Sequence, residues 1–461
     1  MPEARLKQFR SKRASLWQSA IDRVAAGAAT PSPAAGLEDA ATPAPERPPQ
    51  DDPSVQAGNQ IAALLNEDKM PDMPPPLSPA AGFQETVAFC SRTALRIAEA
   101  RVKSIFTGDT SELKALQAEI GAKFGGCDPQ WAEVIIEYVK NRVGSVHIPY
   151  RVHNTLDDFV ISGARFPENA KIAILGDWGT GDEEARRVLN QIAAKNPDVV
   201  IHLGDVYYSG TEHEFQNYFY PIWRDVLGLP NVPWGGKLGD LTSRPSTFTL
   251  SGNHDMYAGG GPYYTVLDMI GQPASYFCLR NSNWQFIALD TGKHDADPTA
   301  AGKDVTFLEP TEVTWLKHQM ATAGGRKTVL LSHHQLYTAF ENEKIGDGFV
   351  NQKLLDDTAD ILPQVTAWFW GHEHNLVIFE KFQNVLGRCV GHGAFPVGRD
   401  ELGKVNPEIK IKGVELGLDR SGGLFQHGYV IVELKGDQAA AAYFQFDPGT
   451  GQEKRIFDEA L

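Results

Sequence analysis

Six stretches of this 461-residue chain end an apolar run in side chains that can hold a metal ion or move a proton. KIAILGDWG ends at Asp177, and IHLGDVYYSG at Asp205. TFTLSGNHD carries Asn253, His254 and Asp255, and NWQFIALDTG carries Asp290. KTVLLSHHQ presents His333 and His334, and VTAWFWGHEHN presents His372, Glu373 and His374. The donors are carboxylate, amide and imidazole, with no thiolate, a set suited to zinc, manganese or iron. Gly176, Gly204, Gly252 and Gly371 each stand directly before one of these groups. A glycine there lets the chain turn away while the next side chain points forward. His372 and His374 lie two apart, so on a strand they face one side and Glu373 faces the other.

The stretches need a frame that brings their ends together. Apolar β-rich runs alternate with helical stretches such as EEARRVLNQIAAK and EFQNYFYPIWRDVL. That alternation is the signature of parallel strands packed between helices, an α/β fold. Ligand sites in such sheets lie beyond the carboxyl ends of the strands. After Leu376 the texture turns all-β through NLVIFEKF, GRCVGHGAFP, GYVIVELK and AAAYFQFD, which predicts a second sheet and a two-sheet sandwich flanked by helices.

With these motifs in order, the chain resembles the calcineurin-like metallophosphoesterase superfamily. GDWG, GD, GNHD, SHH and GHEHN follow one another at Asp177, Asp205, Asn253, His333 and His372. The superfamily usually has a histidine two residues after the first aspartate, and here Gly179 takes that place. The purple acid phosphatase branch shares the absence and uses a tyrosine three residues after its second aspartate, which here is Tyr208. The chain departs from that branch in lacking a secretory signal and in carrying His334-Gln335 where the branch has x-Pro.

The resemblance implies a four-layer α/β/β/α sandwich with an N-terminal helical extension, and two divalent or mixed-valence transition ions (iron, zinc or manganese). It implies that Asp177, Tyr208 and His374 bind one ion, that Asp205 bridges, and that Asn253, His333 and His372 bind the other. Of the adjacent pair it favours His333, nearer the strand, over His334. It places His254 beside the site as the catalytic residue, to contact the phosphate or protonate the leaving oxygen. Two cations about 3.5–4 Å apart acidify a shared water and clamp phosphoryl oxygens, and a histidine acid adds about 10²–10⁴ in rate. The expected activity is hydrolysis of a phosphate ester, with a monoester slightly ahead of a diester or cyclic nucleotide. A non-catalytic metal-binding scaffold is the alternative from another class, and a catalytic histidine argues against it.

Other positions read as structural. Asp290 is a turn-former before it is a ligand, and Asp255 orients its neighbours. His392 is structural rather than a rim residue beside Arg399. Gly259-Gly260-Gly261 is a mobile substrate loop or a plain turn. His202, His213, His294 and His318 have no partners legible in the sequence.

The net charge of −15 argues against a polynucleotide footprint, which needs a basic face, and points to a small or protein-bound phosphate ester. The four cysteines, Cys90, Cys127, Cys278 and Cys389, are far apart and read as reduced thiols. The basic N-terminus lacks the 7–15-residue apolar run of a secretory signal, and no run approaches the ~18 residues of a membrane span. A cytoplasmic protein without integral membrane contact is expected. The first 25 residues hold six Arg/Lys against two acids and read as a solvated tail or a short partner-binding helix. Residues 1–82 form a basic tail and Pro/Ala-rich linker, 83–165 a small helical segment, 166–450 the phosphoesterase domain and 451–461 a C-terminal tail. Oligomeric state is not legible.

Overall fold

The computed structural model describes residues 147–242, 244–296, 305–398, 402–418, 424–447 and 450–461. The expected tail, linker, most of the helical segment, Cys90, Cys127 and Arg399 lie outside them. The strands are β1 (Val160–Ile161), β2 (Lys171–Leu175), β3 (Val199–His202), β4 (Ser246–Thr249), β5 (Phe277–Arg280), β6 (Trp284–Ala288), β7 (Lys327–Leu331), β8 (Val365–Trp370), β9 (Leu376–Ile378), β10 (Gly387–Val390), β11 (His427–Lys435), β12 (Gln438–Asp447) and β13 (Gln452–Ala460). Helices α1 (Glu183–Ala194), α2 (Tyr220–Leu227), α3 (Asn253–Met256), α4 (Gly261–Ile270), α5 (Pro310–Ala321) and α6 (Gln352–Thr358) punctuate them.

The strands make two sheets. One has the order β1-β5-β6-β7-β8-β10-β9 and the other β13-β12-β11-β2-β3-β4. β2, β3 and β4 run parallel, as do β6, β7 and β8, so each sheet sends a group of strand carboxyl ends toward one edge. Strand alternation explains the stacking. Ile172 and Ile174 join Val199, Ile201, Phe248, Phe286, Val329, Leu331 and Phe369 in an apolar layer between the sheets. Ala173, Leu175 and Val200 face the other way, onto Val188, Leu189 and Ile192 of α1 and Trp223 of α2. Ile287, Leu330, Trp368 and Trp370 pack under Trp315, Leu316 and Met320 of α5. Fully burying one such side chain is worth about 1.5–3 kcal/mol, so two faces per sheet require four layers. The expected α/β/β/α sandwich is the observed one.

α1 forms where the sequence asks for it. Asp182 caps it by accepting the Ala185 N–H, and Glu183 and Glu184 occupy its first turn, where the helix dipole favours acids. Ala185, Val188, Leu189 and Ile192 then form its buried stripe.

The structure differs from the expected bounds at two places. The eleven residues read as a C-terminal tail contain β13, paired along β12 from Ala440–Ala460 to Asp447–Gln452. Its dense charge suits an exposed edge strand and hides the alternation. Among the described residues the compact unit runs from Ile148, ahead of the expected boundary at 166, and includes β1, which pairs with β5. The Gly259-Gly260-Gly261 stretch is the turn that leads into α4, the plain-turn alternative, with Gly259 and Gly260 at φ 81° and 72°.

Candidate metal centre

β2, β3 and β4 of one sheet and β7 and β8 of the other end at the same place. Glycines allow the close approach. A Cβ on Gly252 would stand 2.0 Å from Asp205 Oδ1, and one on Gly371 would stand 2.6 Å from Asp177 Oδ2. Gly391, after β10, closes the other side of Asp177 at 2.7 Å. Four of the converging residues have left-handed backbone: Asp177 (φ 56°), Asp205 (79°), His372 (66°) and His374 (53°). Such conformations cost about 1–3 kcal/mol each and persist where surroundings over-determine them. Here Asp177 N–H donates to Gly204 O, and Asp177 O accepts from the N–H groups of Ala394 and Phe395.

The side chains meet in two overlapping groups. Asp177, Asp205 and His333 place ligand atoms within 4.8 Å of one another, as do His333, His334 and His372. His333 Nε2 stands 3.1 Å from Asn253 Oδ1, 3.4 Å from Asp205 Oδ1 and 3.3 Å from His372 Nδ1. Its Nδ1–H donates to Leu203 O at 3.0 Å, which turns Nε2 toward the site. Asn253 Nδ2 donates to Tyr257 Oη at 2.6 Å, so its Oδ1 faces inward. Asp177 Oδ2 accepts the His372 N–H at 2.8 Å, and Asp177 Oδ1 lies 3.1 Å from His374 Nε2. Asp255 accepts three backbone N–H bonds, from Asp205, Val206 and Gly252, and so pins the turns that carry Asp205 and Asn253. His254 N–H donates to Asp205 Oδ1 at 3.1 Å, its Nδ1–H donates to Tyr208 O at 2.6 Å, and its Nε2 stands 3.9 Å from Asp205 Oδ2.

The phenol in this cluster is Tyr207, where the resemblance implied Tyr208. Tyr207 Oη donates to Asp177 Oδ1 at 2.9 Å and lies 2.8 Å from His374 Nε2. The reason is local. Glu214 accepts the N–H groups of Tyr208, Ser209 and Thr211, and His254 holds Tyr208 O, so the Tyr208 backbone is fixed on both sides. The Tyr207 ring then packs on Phe395 at 4.5 Å and His254 at 4.8 Å.

The other histidines sort themselves. His334 sits behind His333, with its ring nitrogens on Thr291 and Asp295. His392 is buried, and burial pushes its imidazole down to about 3. His202 lies among Trp178, Phe219 and Trp223. His294 stacks on Phe307 and pairs with Glu309, and His318 pairs with Asp157. Asp290 accepts from Ser251 Oγ and the Lys293 N–H, a turn role. Gly391, Phe395, Tyr257 and Leu203 O also support the site, through contacts that residue type and spacing do not announce.

The residues present fit a metal centre. Asp205 is fully buried, and its Oδ2 accepts no hydrogen bond. Among the described residues, the ion-pair partners of Asp177 and Asp205 are histidines rather than Arg or Lys. Burial, then Asp177 and Asp255, holds the Asp205 carboxyl well above the usual range, and burial holds His333 well below its own. Neutral imidazoles around buried carboxylates of unbalanced charge are what a divalent cation would neutralise.

Residues 170–376 match the family model for the calcineurin-like phosphoesterase. Tartrate-resistant acid phosphatase type 5 of Mus musculus is 25% identical over 255 residues, covering 49% of this chain and 72% of its own length. The Homo sapiens protein of that name is 23% identical over 309 residues, covering 60% and 87%. Glycerophosphodiester phosphodiesterase GpdQ of Enterobacter lignolyticus (strain SCF1) is 24% identical over 220 residues, covering 48% and 70%. Residues 170–376 thus resemble a calcineurin-like phosphoesterase, and a hydrolase acting on phosphate esters is what this match and the phosphatase relatives support.

Proposed function

We propose that this protein hydrolyses phosphate monoesters at a centre for two transition ions of iron, zinc or manganese. The convergence of seven ligand-type side chains, Asp177, Asp205, Tyr207, Asn253, His333, His372 and His374, carries this reading. In it, Asp177, His374 and the Tyr207 phenol hold one ion, and Asn253, His333 and His372 hold the other. Asp205, which lies beside both sets, would be the ligand the two ions share. Bound there, such ions supply Lewis-acid activation of the phosphoryl group and a water acidic enough to attack near neutral pH.

The chain's own groups do the rest. Leu203 O and Tyr257 orient His333 and Asn253 before any ligand arrives. Tyr208 O accepts a hydrogen bond from His254 Nδ1–H, so Nε2 would protonate the leaving oxygen from the imidazolium form, which carries a proton on each ring nitrogen. A small or protein-bound ester suits the acidic chain, and the acid phosphatase relatives favour a monoester. The GpdQ relative supports a second reading, a diester of a small alcohol. A cytoplasmic place is supported by the buried free thiols Cys278 and Cys389.

The test is turnover of p-nitrophenyl phosphate and bis(p-nitrophenyl) phosphate with iron, zinc or manganese added. The monoester is expected to show the higher kcat/KM, and a higher diester value selects the second reading. His254→Ala is expected to keep its metal and lose 10²–10⁴ in kcat. Turnover of neither ester by metal-loaded protein would favour a binding scaffold and overturn the enzyme reading.

A further inference from the structure

His334 is not used by the mechanism, yet it is one of the most tightly fixed side chains near the centre. It is 3% exposed. Its Nε2 lies 3.1 Å from Asp295 Oδ2 and its Nδ1 lies 3.0 Å from Thr291 Oγ1. Its backbone N–H donates to the same Thr291 Oγ1 at 3.1 Å, and its carbonyl accepts from Ser332 Oγ at 2.7 Å. Ser332 Oγ in turn accepts from Trp368 Nε1 on β8 at 2.8 Å.

One proton arrangement satisfies every bond. Nε2–H donates to the Asp295 carboxylate, and the Thr291 hydroxyl accepts the backbone N–H while donating to Nδ1. Both ring nitrogens are then occupied, so His334 has none left for a metal or a phosphate. What remains is the face of its ring. The ring lies tilted against that of His372, with centroids 4.5 Å apart and planes at 45°, and makes a T-shaped contact with His333 at 4.8 Å.

The residues that hold His334 are themselves braced against the centre. Thr291 and Asp295 flank Gly292, where a Cβ would stand 2.6 Å from Gly252 O, and Asp295 N–H donates to Gly292 O. The turn that carries Asn253 and contacts Asp205 therefore also supports the segment that anchors His334.

We infer that His334, locked by Thr291 and Asp295, is a positioning residue for the second ion, acting as a wall that sets the angle of the His372 imidazole. The inference rests on the two-ion reading above. It assigns His334 no bond to metal or substrate.

Stepwise metal affinities, measured by chelator competition on the full chain with zinc and with cobalt, test it. The cobalt visible spectrum reports the ligands of each ion. In His334→Ala, the first ion should keep wild-type affinity and the second should weaken about 10–100-fold, the usual cost of losing a group that orients a ligand. His334→Phe keeps a flat ring and should recover most of that loss. Asp295→Asn and Thr291→Val should weaken the second ion in the same direction by less. The metal-free variants should melt within a few degrees of wild type. Unchanged affinity for both ions in His334→Ala would overturn the inference, as would equal weakening of both. A cobalt spectrum that loses a nitrogen donor in His334→Phe would make His334 a ligand and also overturn it. Fewer than two ions in the wild type would instead overturn the two-ion reading itself.

Discussion

Gly252→Ala adds one methyl group at the tightest point of the centre. Gly252 has φ −97° and ψ 174°, an extended backbone that alanine adopts without strain. In an unconstrained place the change would stabilise by about 0.4–1 kcal/mol through the unfolded chain. Here the new Cβ would stand 2.0 Å from Asp205 Oδ1 and 2.8 Å from its Cγ. Ordinary contact begins near 3.4 Å, so the carboxylate must retreat by about 1.4 Å. The retreat would break the His254 N–H bond to Oδ1 and move the proposed bridge away from His333 Nε2. A misplacement of about 1 Å costs on the order of 10² in rate, equivalent to about 2.7 kcal/mol of barrier. Gly252→Ala is therefore expected to fold, to bind metal weakly and to lose at least about 10²-fold in kcat/KM on p-nitrophenyl phosphate. Gly261→Ala, with open space around its added Cβ, is the control and should match wild type. Full metal content and kcat/KM within about threefold of wild type in Gly252→Ala would refute the placement of Asp205.

The two tyrosines can be separated by paired variants. Tyr207→Phe removes the hydroxyl shared by Asp177 and His374 and should weaken the first ion, while Tyr208→Phe should not; the reverse in metal titrations would return the role to Tyr208. If ferric iron is bound, its visible charge-transfer band should vanish in Tyr207→Phe alone. Away from the centre, Glu312 is fully buried, accepts from Asp290 N–H and Tyr150 Oη, and is held well above the usual carboxylate range by burial and by Asp290. A folded-state pKa above the unfolded one gives stability that is present below about pH 4.5 and lost as pH rises through the folded value. Glu312→Gln should flatten that alkaline loss in thermal melts, and an unchanged pH slope would contradict the assignment. Arg388, fully buried on β10, makes a bidentate pair with Glu459 of β13 at 2.6 Å and so ties the two sheets together. Glu459→Gln leaves that charge poorly paired and should cost about 3–5 kcal/mol in denaturant unfolding, and a loss under 1 kcal/mol would show the tie to be unimportant.

What the sequence revealed follows from how locally each feature is encoded. Asp177, Asp205, Asn253, His333 and His372 each close an apolar strand, four of them right after a glycine, so their convergence could be anticipated from strand direction alone. The four layers could be anticipated for the same reason, since Ile172/Ile174 and Ala173/Leu175 are apolar on both faces of one strand. The choice between adjacent phenols was not legible. It depends on Glu214 and His254 gripping the Tyr208 backbone, contacts that no spacing rule announces. Gly391 and Phe395 come to Asp177 from more than 200 residues away, through the pairing of β10 beside β8. β13 was hidden because an edge strand has only one neighbour and carries charge where a central strand would carry apolar side chains.

Metal stoichiometry of the purified chain tests the central claim most directly. Elemental analysis after equilibration with zinc or manganese and removal of loosely held ions should give two transition ions per chain. Asp205→Asn should reduce binding of both ions together, because one carboxylate is assigned to span them. One ion or none in the wild type, or an Asp205→Asn variant that retains both at wild-type affinity, would contradict the dinuclear centre.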